Sequence, residues 1–151
     1  MHLDVANACN LRCVTCWSHA ALLARPKSAA WKAQRIDPGL FRRVVEEAAA
    51  LGATRIIVGG AGEPFTHPGL VPLLAQVKSR GLRLTLLTNG TLCDLADLGA
   101  LGVDQVLLNL ASATASTYAA YHPGEPEQTF HRIVAGARAL AGKLNLVQVI
   151  N

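Results

Sequence analysis

The chain has 151 residues, 51% of them hydrophobic, with 14 Lys and Arg against 10 Asp and Glu and a formal charge of +4. That is one domain's worth of chain, long enough to bury a core. It holds no apolar run near the ~18 residues of a membrane span and no basic stripe interleaved with aromatics of the kind that grips nucleic acid. The first residues lack a secretion signal, which points to a cytoplasmic protein whose four cysteines serve metal binding or catalysis rather than disulfides. Charged pairs such as Arg42-Arg43 read as solvated helix faces, and charge alone names no partner.

A first strand is predicted over residues 2–7. Directly after it stand Cys9, Cys13 and Cys16, a C-x3-C-x2-C run that offers three thiolates to one inorganic centre. An iron–sulfur cube normally takes four cysteines. A cube held by three keeps one iron open, and an open position is what separates a reactive metal site from a structural one. Residues 18–36 form a connection long enough to be either a cover over a site or a separately structured short helix. Asp37 and Pro38 then make an N-cap and N1 pair for a helix that runs to Gly52.

Strand, helix and glycine now alternate. Strands are expected over residues 54–58, 82–87, 103–110 and 144–150. Helices are expected from near Pro68 to Gly81, over residues 92–101, and over residues 127–141. The rhythm predicts an α/β fold, a partial (β/α) TIM-like barrel of about five parallel strands with helices outside, left incomplete and with an apolar last edge.

In such barrels chemistry gathers on the loops that follow the strands. The cysteines follow the first strand, Gly59-Gly60-Ala61-Gly62-Glu63-Pro64 the second, and Thr88-Asn89-Gly90-Thr91 the third. Asn109 ends the fourth strand with Ser112 beyond it, and Asn151 ends the fifth. The glycine segment does not fit a dinucleotide turn, because Pro64-Phe65-Thr66-His67-Pro68 separates it from the next helix. Glycines before a glutamate suggest instead backbone carbonyls and a carboxylate that receive a cationic amine. Cys93 reads as a small buried hydrophobe, His67 as a turn residue beside the glutamate, and His122 and His131 as structural or exposed.

With the cysteine run, Gly62-Glu63-Pro64 and Thr88-Asn89-Gly90 together, the chain resembles the radical SAM superfamily from its first strand to its fifth. The resemblance implies a [4Fe–4S] cluster on Cys9, Cys13 and Cys16. It also implies S-adenosyl-L-methionine (SAM) held by Gly60, Gly62, Glu63, Pro64, Thr88, Asn89, Asn109, Ser112 and Asn151, with Asn109 first and Ser112 second as the ribose contact. A flavodoxin- or ferredoxin-like donor would supply the electron that cleaves SAM, and the 5′-deoxyadenosyl radical would take hydrogen from an unknown substrate; neither nucleic acid nor a membrane is implied. Residues 1–151 would be the N-terminal portion of the core domain, with the sixth strand and any C-terminal region absent. One departure is Thr15, where family members usually carry an aromatic residue before the third cysteine; Trp17 follows instead. Two alternatives stand beside this reading. One is a truncated relative that is inactive alone, the other a zinc-binding interaction module using Cys9, Cys13, Cys16 and His19.

Overall fold

The computed structural model describes residues 1–140 and 142–147. Five strands, β1 (His2–Asp4), β2 (Arg55–Gly59), β3 (Arg83–Thr88), β4 (Gln105–Asn109) and β5 (Leu144–Val147), lie side by side in chain order, and every neighbouring pair is parallel. Five helices join them: α1 (Ala29–Lys32), α2 (Pro38–Ala50), α3 (Leu70–Ser79), α4 (Ala115–Tyr121) and α5 (Glu127–Ala139). The partial barrel expected from the sequence is what forms.

Strand alternation decides the two faces. Ile56 and Val58, Leu84 and Leu86, and Val106 and Leu108 are buried in one apolar core with Phe41 and Val45 of α2 and Leu73, Leu74 and Val77 of α3. The intervening positions form the other face, where Thr85 and Arg55 both donate to the Gln105 side-chain carbonyl at 3.3 and 3.2 Å. Because every neighbouring pair is parallel, the strand ends and the loops that follow them share one rim.

Several expectations need correction. The first strand is shorter than residues 2–7, because the chain changes partners after Asp4. The Ile36 amide donates to the Val5 carbonyl and the Asn7 amide to the Gln34 carbonyl, so the long connection returns antiparallel beside β1. That connection contains a short helix, α1, capped by the Ser28 hydroxyl. The helix expected over residues 92–101 is a 3₁₀ turn, Leu95–Gly99, capped by Asp94. Its buried residues Leu95 and Leu98 stand three apart, which suits the three-residue repeat of a 3₁₀ turn. The next helix after β2 starts at Leu70, behind a separate 3₁₀ turn over Pro64–Thr66. Helix α4 was not anticipated. Thr114 and Thr117 cap it reciprocally, each side chain bonding the other's amide. The last strand runs over Leu144–Val147, and the remainder of its expected span lies outside the described residues.

Candidate active site

The rim encloses a cavity of about 260 Å³. Cys9, Cys13 and Cys16 line one wall; Gly60, Gly62 and Glu63 from the β2 loop, Thr88 and Asn89 from the end of β3, and Asn109 from the end of β4 line others, with Leu11, Thr15, Trp17, Ala61, Leu87 and Tyr121 making up the rest. Pro64 and Ser112 are buried but do not line it, and Asn151 lies outside the described residues. Trp31, Lys32 and Arg35 of the long connection do not line it either. That connection braces the cysteine loop instead: the Asn7 amide group donates to the Trp31 carbonyl at 3.1 Å, and the Trp31 ring lies near Trp17 and His19.

The glycine loop is pressed against the cysteine loop. The Gly62 amide donates to the Ala6 carbonyl at 3.1 Å and the Glu63 amide to the Ala8 carbonyl at 2.7 Å. A Cβ on Gly62 would stand 1.9 Å from the Ala8 oxygen, and one on Gly60 would stand 2.6 Å from the Ala6 oxygen. These glycines are demanded by close backbone approach. Among the described residues neither the Gly60 nor the Gly62 carbonyl accepts a hydrogen bond, so both remain free acceptors beside the cavity.

Glu63 is 2% exposed and accepts three hydrogen bonds. One oxygen accepts from the Thr88 hydroxyl at 2.7 Å and the Phe65 amide at 3.3 Å, the other from the Asn89 amide at 2.8 Å. Burial pushes its carboxyl above the usual range, against the pull of the Asn89, Thr88 and Phe65 donors. The carboxylate therefore ties the β2 loop to the end of β3, and its Oε2, which has one donor, and the free carbonyls beside it keep capacity to accept from an amine.

Burial keeps two of the three thiols neutral. Burial pushes Cys9 up to about 11 and Cys13 up to about 12, with Glu63 and Cys16 adding to the first and Cys9 and Cys16 to the second. Only a bound cation makes the thiolate favourable there. Donors surround the sulfurs: the Leu11 amide reaches Cys9 at 3.4 Å, and the His19 amide reaches Cys16 at 3.3 Å. Such bonds tune iron–sulfur potentials. His19 Nε2 is bonded to the Asn7 carbonyl at 2.8 Å, which leaves only its Nδ1 for a metal. Among the described residues no three His, Cys, Asp or Glu side chains converge on a point that one metal ion could occupy. Three thiolates on one tetrahedral zinc would stand about 3.8 Å apart, whereas a cube gives each its own iron.

Two more observations fit an organic ligand beside the cysteines. Asn109 Oδ1 is buried with no partner among the described residues, on the cavity wall. Thr15, where an aromatic residue was to be expected, pairs its hydroxyl with that of Tyr121, and the Val14 amide donates to the Tyr121 carbonyl at 3.0 Å. Tyr121 thereby brings an aromatic ring to the cavity from the end of α4. Sequence reasoning missed it with that helix, whose one signal was the Thr114–Thr117 cap.

A larger, more open hollow of about 680 Å³ lies between residues 90–95 and α5. It holds Cys93, whose half-buried thiol is pushed up to about 12 by burial, and Arg132, which donates to the Thr91 carbonyl at 2.9 Å. Its size does not make it the site, since none of the cysteine run opens into it. His67 is the turn residue expected: its Nδ1 accepts from the Gly69 amide at 3.0 Å and its Nε2 bonds the Ile36 carbonyl at 3.2 Å. His122 is buried, stacked on Tyr118, and burial lowers its pKa.

A parallel βα sheet that gathers three cysteines, two free carbonyls and an unpartnered amide at one rim defines a cofactor-dependent α/β enzyme core. The chain belongs to the Radical SAM superfamily, whose sequence model matches residues 3–149. Enzymes of this family use a [4Fe–4S] cluster and SAM. The chain is 34% identical over 146 residues to a GTP 3′,8-cyclase of Geobacter sulfurreducens, covering 92% of this chain and 42% of that protein. It is 32% identical over 116 residues to a tungsten-containing aldehyde ferredoxin oxidoreductase cofactor-modifying protein of Pyrococcus furiosus, covering 73% and 30%. SuiB of Streptococcus suis, solved with its precursor peptide SuiA, shares the fold over 99% of this chain and 32% of its own at a TM-score of 0.75 and 17% identity. The chain thus spans well under half the length of these relatives. Among the described residues no helix is long and apolar enough to cross a membrane.

Proposed function

We propose that residues 1–151 are the N-terminal portion of a radical SAM core, with Cys9, Cys13 and Cys16 as the ligands of a [4Fe–4S] cluster and the rest of the cavity as the SAM site. Loaded with both, such a site supplies one electron to a carbon–sulfur bond of SAM, giving methionine and a 5′-deoxyadenosyl radical that takes a hydrogen atom from the substrate.

The observation that carries the reading is the pairing of three cysteines with unspent acceptors in one cavity. The Gly60 and Gly62 carbonyls can accept from the ammonium of the methionine moiety. Asn109, with its buried Oδ1 free, can receive a ribose hydroxyl. Thr88 and Asn89 act through Glu63, fixing the β2 loop, and Asn89 also donates to the Asn10 side chain at 3.2 Å, which steadies the loop next to Cys9. Tyr121 offers a flat apolar face for a purine. The electron donor is a flavodoxin- or ferredoxin-like protein, and the substrate is bound by parts of a longer chain or by a partner.

Anaerobic reconstitution with iron and sulfide tests this. The expected result is about four iron per chain with a broad visible absorbance that dithionite bleaches. SAM should then be cleaved to methionine and 5′-deoxyadenosine. A colourless protein that holds a single zinc would overturn the cluster assignment, and a bleachable cluster without SAM binding would overturn the cavity assignment.

A further inference from the structure

Asn89, the residue after β3, has a side-chain orientation that its neighbours decide. Its Oδ1 accepts from the Thr91 amide at 2.9 Å and from the Thr91 hydroxyl at 2.6 Å. Turning the amide over would set Nδ2 against the Thr91 amide, donor against donor, so Nδ2 must face the cysteine loop. There it meets Asn10 Oδ1 at 3.2 Å and the Cys9 sulfur at 4.0 Å. Asn10 in turn donates to the Thr91 hydroxyl at 2.7 Å, which closes a ring of three side chains. Arg132 of α5 fixes the far side of the ring through the Thr91 carbonyl.

The same residue donates at its backbone to Glu63 Oε2. Among the described residues Asn89 is the one that donates both to this carboxylate and to a sulfur of the cysteine run. The Ser18 hydroxyl also lies near a sulfur, 3.3 Å from Cys16, but it spends its hydrogen on the Ala61 carbonyl at 3.0 Å. Asn89 is thus the side chain with an N–H left for a ligand sulfur, and it is buried, so water competes little for that hydrogen.

A contact of 4.0 Å to a neutral thiol is long, but a charged acceptor draws a donor closer than a neutral one does. An electron added to an iron–sulfur centre makes its sulfurs more negative. A donor aimed at one of them therefore favours the reduced state and raises the potential. We propose that Asn89 Nδ2, oriented by Thr91, is the side-chain donor to the Cys9 ligand sulfur and sets the potential at which the cluster accepts its one electron. This rests on the cluster assignment above.

The test is an anaerobic redox titration of the reconstituted protein, with dithionite supplying the electron and iron content measured in every sample. At a fixed potential Asn89→Leu should shift the cluster about tenfold toward its oxidised form, about 59 mV for one electron. Asn10→Ala opens the ring but leaves Thr91 to orient Asn89, so it should shift that ratio less than twofold. A fully loaded Asn89→Leu protein with the parent's potential overturns the proposal. So does an equal shift in Asn10→Ala, which would make the ring a brace for the loop and Asn89 no donor. Pulsed EPR of the reduced parent, labelled with nitrogen-15 in its asparagine side chains, tests the contact even where Asn89→Leu takes up no iron. A nitrogen coupling that survives in Asn10→Ala and in Asn109→Leu is expected; its absence from the parent, or its loss in either variant, overturns the proposal. A parent protein that takes up no iron strikes the cluster assignment instead.

Discussion

Gly62→Ala is the sharpest test of how the cysteine loop is positioned. The new methyl would meet the Ala8 oxygen at 1.9 Å, the Ala8 carbonyl carbon at 2.5 Å and the Asn7 carbonyl carbon at 2.6 Å, all of them backbone atoms. Contacts of this kind do not fall below about 3.0 Å, so one loop must retreat from the other by about 1.1 Å. Such a retreat breaks the Glu63-to-Ala8 and Gly62-to-Ala6 hydrogen bonds. At about 1 kcal/mol each the loss is about 2 kcal/mol, which for a chain of this size lowers Tm by about 4–8 °C. Cys9 follows Ala8 directly and moves with it. Displacements of about 1 Å in a catalytic constellation cost on the order of a hundredfold in rate. The assays are thermal unfolding of the apoprotein and iron bound per chain after reconstitution. Gly60→Ala, whose Cβ would clash at 2.6 Å with a single carbonyl oxygen, should be milder in both. A Gly62→Ala protein with the parent's Tm and full loading would refute the claim that close approach is why glycine stands there.

Asn109→Leu removes a buried oxygen that has no partner among the described residues, so the apoprotein should melt no lower than the parent while SAM affinity of the reconstituted protein falls about tenfold. Unchanged affinity by calorimetry would remove Asn109 from the ligand site. Tyr121→Phe and Thr15→Val should each cost about 1 kcal/mol, and the double variant no more than either, because they break one shared hydroxyl pair; additive losses in denaturant unfolding would refute the pairing. Burial alone would raise the Asp104 carboxyl, but the Leu84 amide at 2.7 Å and the Lys78 ammonium at 2.6 Å hold it below its usual range. A depressed pKa contributes stability above the unfolded value near 3.8 and loses it as pH falls through the lower folded value. Asp104→Asn should therefore cost no more than about 1 kcal/mol near neutrality, since the pair is over a third exposed and screened, and its deficit should vanish in acid. A deficit independent of pH would contradict the assignment.

The parts of this fold that were legible in the sequence are those whose signal is local. Asp37-Pro38 and Gly52 bracket α2 to the residue because capping and the left-handed turn at Gly52, φ 85°, are decided within a few positions. The stretch over residues 92–101 suggests a helix, yet the three-residue spacing of Leu92, Leu95, Leu98 and Leu101 suits α and 3₁₀ turns alike over so short a length. Helix α4 buries Tyr118 alone, which leaves no periodicity to read. The rim could be anticipated because polar and glycine residues recur after each strand. What could not be read was which atoms are spent. That Glu63 accepts from Thr88 and Asn89 depends on β2 and β3 being neighbours in register, and that Tyr121 reaches Thr15 depends on where an unrecognised helix ends.

The cysteine loop is fastened along its length by hydrogen bonds to the rest of the rim. Ala6 and Ala8 are bonded to the glycine loop, Asn10 to Thr91, Val14 and Thr15 to Tyr121, and Ser18 to the Ala61 carbonyl. Small metallo-domains in which the metal supplies the folding energy are unfolded without it. This loop is held to its neighbours by the protein's own hydrogen bonds, which set where its three cysteines stand. Damage done far from the sulfurs, in the glycine loop or at the end of α4, would therefore be felt at the cysteines.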